Sequence, residues 1–131
     1  MATLRAWIER LGYDVAQEDA TTLRIAPPPS SGPPVPPFFA QLAENWLMLS
    51  ILPLYPVDEQ LSAAGLMRLL ALNRELCVAK YAQGPDGEIV LCAELPTESL
   101  DEPEVADAIV RMTRSARELE SRMQSAWITS G

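Results

Sequence analysis

Reactive chemistry needs side chains that move protons, attack an electrophile or hold a metal, and this chain arranges few of them. It has no histidine, two cysteines, and 18 acidic against 10 basic residues. Without histidine, no Ser-His or Cys-His pair can make an activated nucleophile. Zinc would need Cys77, Cys92 and carboxylates together, and two thiols without CxxC spacing are too few. The six glycines are scattered, so there is no phosphate-cradling loop, and the spaced acids of a calcium loop are missing. Carboxylates do cluster at Glu102, Glu104 and Asp107. They stand where a helix begins, and capping and solubility account for them better than acid–base catalysis. No catalytic residue, metal or cofactor is expected, and these residues leave an enzyme possible but unsupported.

The charge is the next constraint. The formal net charge is −8, and between Ala82 and Val110 there are eight acids with no Lys or Arg. Nucleic-acid binding needs a basic footprint, and anionic lipid attracts basic surfaces, so neither partner is expected. The segment MATLRAWIER lacks the apolar core of a signal peptide, and the most apolar run, Trp46 to Leu54, is too short to span a bilayer. A cytoplasmic protein with two free thiols is expected. At 131 residues the chain reads as one domain, 1–131, long enough to bury roughly two-thirds of its unfolded surface.

The elements that would position any site follow from periodicity. Leu4, Trp7, Ile8 and Leu11 recur at i, i+3, i+4 and i+7, so residues 3–11 read as a short amphipathic helix. Thr3 is placed to cap it, and Gly12 suits the left-handed position beyond its end. Thr21 to Ala26 alternates as a strand. Residues 27–37 then hold seven of the twelve prolines, a composition no sheet interior accepts, and form a proline-rich connector loop. Phe38 to Ala43 and Trp46 to Leu54 read as a hairpin turning at Glu44-Asn45. In the second strand Trp46, Met48, Ser50 and Leu52 form one face and Leu47, Leu49 and Ile51 the other. Both faces are mostly apolar, as in a strand buried on both sides or one that keeps a face open for a partner.

The centre of the chain is a helix from Leu61 to Leu72, rich in Leu and Met with only Arg68 charged. Such a helix is buried on more than one side or lies in a subunit interface. Asp58 is placed as its N-cap and Asn73 as its stop. Leu76 to Gln83 and Glu88 to Leu95 alternate around Gly84-Pro85-Asp86-Gly87, a strong turn signal. Pairing Gln83 with Glu88 sets Tyr81 opposite Val90 and Ala79 opposite Cys92, and sends Leu76 and Val78 to the core with Ile89, Leu91 and Ala93. The last helix starts at Leu100 to Val105 with Asp101 as cap. It carries one apolar stripe through Val105, Ile109, Met112, Ala116, Leu119 and Met123, and residues 124–131 form a loose C-terminal tail. The expected architecture is α+β, in the order α-β-β-β-α-β-β-α, a five-stranded mainly antiparallel sheet packed with three helices.

Three segments carry a family resemblance: Trp46 to Ser50, Leu69 to Tyr81, and Gly87 to Pro96 with the acidic helix start behind it. With this order of elements, the chain resembles the type III secretion chaperone-like superfamily and, within it, the YbjN-like proteins. The motifs are structural ones. The resemblance implies a small, acidic, non-enzymatic protein that binds or escorts a protein partner, often as a homodimer. In the secretion chaperones the middle helix builds much of the dimer contact, and effector segments wrap over apolar patches of the first helix and sheet. Transferred here, Leu66, Leu69 and Leu70 are dimer-interface candidates, and Trp46 and Met48 are partner-binding candidates. The YbjN-like branch implies a signalling or regulatory protein without chaperone activity, binding one folded partner or a small ligand. The proline-rich connector departs from the usual short strand connection.

Overall fold

The computed structural model describes residues 1–28, 35–55, 62–85 and 87–123, without the side chains of 52–55, 120, 121 and 123. The elements are α1 (Ala2–Glu9), β1 (Asp14–Asp19), β2 (Thr22–Ala26), β3 (Phe38–Leu42), β4 (Trp46–Tyr55), α2 (Ala63–Glu75), β5 (Ala79–Gln83), β6 (Ile89–Pro96) and α3 (Glu102–Met123). The strands form one antiparallel sheet in the order β1-β2-β3-β4-β6-β5.

The period of two along each strand decides the layering. Leu23, Ile25, Phe38, Ala40, Leu47, Leu49, Ile51, Ala79, Tyr81, Ile89, Leu91 and Ala93 are all buried and all lie on one sheet face. Against that face pack Leu4 and Ile8 of α1, Leu69 and Leu72 of α2, and Val105, Ala108, Ile109, Met112 and Leu119 of α3. The molecule is thus two layers, helices over a sheet, as a single amphipathic sheet face requires. Met123 aside, whose side chain is not described, the apolar stripe expected along α3 packs on the core. Asp101 caps α3 by accepting from the Glu104 N–H at 3.0 Å, and Gly12 takes the left-handed conformation at φ 95°.

Several expectations are corrected. The sheet has six strands, not five, because Asp14–Asp19 pairs with β2. Only Val15 of β1 is buried, so the strand carries almost no hydrophobic alternation and reads as polar loop. Its turn is set by Asp19, whose carboxylate accepts from the Thr21 N–H at 2.9 Å, the local bond that makes Asp a turn residue. That hydrogen bond, first among its causes, holds the Asp19 carboxyl below the ordinary range. The first helix is shorter than 3–11, and no side chain caps it. The middle helix begins at Ala63, two residues after Leu61, with Ser62 as its N-cap accepting from the Gly65 N–H at 2.9 Å; Asp58 lies outside the described residues.

The β5–β6 register is displaced by one residue from expectation. Gln83 pairs with Ile89, Tyr81 with Leu91 and Ala79 with Ala93. Ala79 and Tyr81 face the core, and Val78 is exposed. The cause is local. Val78 sits at φ 75°, and the Ala79 N–H donates back to the Cys77 carbonyl at 2.8 Å. This tight γ-turn reverses the side-chain alternation before the strand begins. Cys77 therefore stays outside the strand and is exposed, while Cys92 is half-buried. Pro27, Pro28 and Val35–Pro37 of the proline-rich connector lie outside helix and strand; 29–34 and the tail 124–131 fall outside the described residues.

Candidate partner-binding surfaces

The uncovered sheet face is the first candidate. Leu47, Leu49 and Ile51 point into the core, so Trp46 and Met48 must point away from it. They do, with 46% and 39% of their surface exposed. Cross-strand pairing sets Met48 between Gln41 and Glu94, Trp46 beside Pro96, and Ser50 between Phe39 and Cys92. An apolar centre with a polar rim is the composition of an interaction patch. Burial, and then the Glu94 carboxylate, pushes the Cys92 thiol pKa up, which favours the protonated thiol.

The second candidate lies on α2. Leu69 and Leu72 hold the inward stripe, and Leu69 is only 6% exposed. Leu66 and Leu70, one turn apart, are 43% and 65% exposed. Of the three residues expected to act together on this helix, the structure brings two to the surface and commits the third to the chain's own core. Met67 joins the exposed pair and is, among the described residues, the most open of the large apolar side chains, a residue the sequence reading passed over. Fixing the inward stripe at Leu69 and Leu72 would have found it, because position 67 lies opposite that stripe at 100° per residue.

Between α2 and the sheet edge runs an apolar cleft of about 300 Å³, lined by Leu66, Leu69, Leu70, Asn73, Tyr81, Ala82, Gln83 and Ile89. Its floor is set by Asn73, which does not stop the helix but reaches the edge of β5. Its amide N donates to the Tyr81 carbonyl at 2.9 Å and its amide O accepts from the Tyr81 N–H at 2.8 Å. One side chain thus satisfies the outward backbone groups that a neighbouring strand would otherwise take. The Tyr81 hydroxyl donates to the Ser115 carbonyl at 2.9 Å, tying β5 to α3. Lys80 donates to the Asn73 and Leu76 carbonyls at the end of α2.

The acidic start of α3 is used structurally: Glu102 accepts twice from the Arg10 guanidinium, at 2.7 and 2.9 Å, joining the end of α1 to the start of α3. That hydrogen bonding holds the Glu102 carboxyl below its ordinary range. Among the described residues no group of three Cys, Asp or Glu is placed to hold a metal ion, and no helix is long and apolar enough to cross a membrane.

One layer of three helices over an antiparallel sheet, with the middle helix along the β5 edge, is the type III secretion chaperone-like fold. The likeness is to particular solved structures. A chain of the heterodimeric ExoU-SpcU complex, from the type III secretion system of Pseudomonas aeruginosa, is 21% identical at a TM-score of 0.63, over 89% of this chain and 94% of that one. A chain of the HopA1-SchA chaperone-effector complex is 16% identical at 0.61, over 88% of each. YbjN of E. coli, described as a putative transcription regulator, is 20% identical at 0.52, over 93% of this chain and 87% of that one. No protein-family model and no curated protein matches the sequence. At these identities the likeness establishes a shared fold.

Proposed function

We propose that this chain is a non-enzymatic, cytoplasmic protein-binding module that holds or escorts a partner protein. The observation that carries the reading is the sheet face bearing Trp46 and Met48, large apolar side chains exposed on a layer that no described helix covers. A patch of this kind on a monomer marks a contact site, and Trp and Met are the residue types enriched at such sites. Chains of like fold occur in complexes described as heterodimeric and as chaperone–effector, which supports the same role. The α2 ridge of Leu66, Met67 and Leu70 is the surface we assign to a second copy of the chain.

The test is to purify the protein from its own host and read its bound partners by native mass spectrometry, alongside a Trp46→Ser/Met48→Ser variant. Both side chains are exposed, so the variant should fold normally and lose the partner. A variant that retains the partner at wild-type stoichiometry would remove the sheet face from the role. A second reading, a regulator of the YbjN type that binds one folded partner or a small ligand, draws on the apolar cleft beside α2. Leu66→Ser would then abolish binding while the sheet-face variant left it intact.

A further inference from the structure

Among the described residues, most of the basic groups are accounted for. Arg5 pairs with Glu9, Arg10 with Glu102, Arg111 with Asp107, and Arg122 with Glu75 and Glu118. Arg68 and Lys80 donate to backbone carbonyls, whereas Arg24, Arg74, Arg114 and Arg117 have neither an ion pair nor a hydrogen bond among them, in a chain where acids outnumber bases 18 to 10. The Nε of Arg117 is, moreover, fully buried with no partner. The negative end of the helix dipole explains why arginines gather on the later turns of α3. It does not explain why one of them buries an N–H unsatisfied, which is costly and calls for a specific cause.

Arg114 and Arg117 line one cleft. Val110, Arg114 and Arg117 follow one another at steps of four and three, so they share a flank of α3. Tyr13, held edge-on against Phe38 with ring centroids 5.8 Å apart, is on the opposite wall. With Thr113 and Glu118 these residues enclose about 320 Å³. The Thr113 hydroxyl is turned back to the Ile109 carbonyl of its own helix. The rest of the lining is Arg114, Arg117, Tyr13 and the 45% exposed Val110, beside the Glu118 carboxylate.

We infer that this cleft binds a carboxylate side chain from an extended, acidic segment of a protein partner, with Val110 receiving an apolar neighbour of that side chain. Guanidinium forks match carboxylates in a bidentate geometry. Two arginines and Glu118 leave a single net positive charge in the cleft, which suits a monoanionic carboxylate better than a phosphate dianion. The inference rests on the protein-binding reading and names the chemistry of the partner.

The experiment follows the Nε–Hε resonances of Arg114 and Arg117 in the full chain. The probes are a capped tetrapeptide of alternating glutamate and valine, the same peptide with glutamine for glutamate, and inorganic phosphate. The acidic peptide should shift both resonances saturably, the glutamine peptide should not, and phosphate should bind more weakly. Arg114 is exposed, so Arg114→Gln should keep the fold and weaken the acidic peptide about fivefold, the scale of one accessible charge pair. Equal shifts from the glutamine peptide, phosphate binding as tightly as the acidic peptide, or no saturable shift would each overturn the site. If the site fails while partner capture through Trp46 and Met48 survives, the carboxylate cleft alone is lost. If both fail, the protein-binding reading goes with it.

Discussion

Leu69 and Leu70 are neighbours in sequence and opposite in consequence. Leu69 fills the space between α2 and the sheet, whereas Leu70 is 65% exposed on the cleft rim. Leu69→Ala should cost about 2–4 kcal/mol of stability by leaving a cavity. Leu70→Ala should stay within about 0.5 kcal/mol. Urea denaturation of both variants checks this, and the reverse order would mean that α2 is rotated from the position described. Asn73 makes a second residue-scale prediction. Asn73→Ala leaves the Tyr81 N–H and C=O without their side-chain partner, at a cost of roughly 1–3 kcal/mol. Hydrogen exchange at the Tyr81 amide should accelerate more than at Leu91, which lies within the sheet. These roles were only partly legible. A helix apolar on nearly every side does not reveal which leucine faces inward, because its periodicity is saturated. Trp46 and Met48 were legible as a face, since alternation alone separates them from Leu47 and Leu49. The role of Asn73 was not, because a helix-stopping residue and one reaching sideways to a strand read the same in sequence.

At the scale of elements, one backbone turn accounts for the main misreading. Residues 76–83 alternate well enough to pass for a continuous strand, yet the γ-turn at Val78 shifts everything after it by one position. A β-branched residue at φ 75° is strained, and no sequence pattern announces it. Glycine adopts that conformation freely, so Val78→Gly should raise stability by about 1 kcal/mol and leave the β5–β6 register unchanged. A loss of similar size would show that the exposed valine contributes packing not evident from its position. β1 escaped the sequence reading for a different reason. As an edge strand it shows one buried residue, and its Val15 carbonyl is taken by the Arg5 guanidinium at 2.9 Å. Charge and side-chain blocking keep such an edge from pairing with other chains, and they also erase the pattern by which strands are recognised. The α1–α3 tether is testable by pH. The Glu102 carboxyl is held below its ordinary range, first by the hydrogen bond from Arg10, so its contribution is complete above the unfolded carboxylate value. It is lost as pH falls through the lowered value. In Arg10→Gln the Glu102 titration, read by NMR, should move back up toward the ordinary range.

For the whole molecule, the two apolar surfaces lie on opposite sides of the sheet, and that separation makes their roles independent. With the sheet face proposed for a partner and the α2 ridge proposed for a second copy, substitutions this far apart should act additively. The strength of self-association can be bounded. Burying Leu66, Met67 and Leu70 yields about 5 kcal/mol, since each is already part-covered. Association itself costs some 4–15 kcal/mol. A symmetric contact buries the ridge of both copies, about 10 kcal/mol, so with the association cost at the low end of its range the ridge alone supports a weak dimer, with Kd on the order of 50 μM. Each copy carries a formal charge of −8, so two copies repel, and added salt should strengthen the dimer by screening that repulsion. An acidic segment held by Arg114 and Arg117 should respond in the opposite sense, since salt weakens an exposed pairing of unlike charges. Sedimentation of the full chain at rising concentration and two ionic strengths measures the first effect, and the peptide titration repeated at both measures the second. Leu70→Asp should abolish the concentration dependence without changing the peptide response. If the wild-type chain stays monomeric at several times the expected Kd in high salt, the ridge is not a self-contact. Leu66, Met67 and Leu70 would then belong, with the cleft beneath them, to the surface that meets the partner.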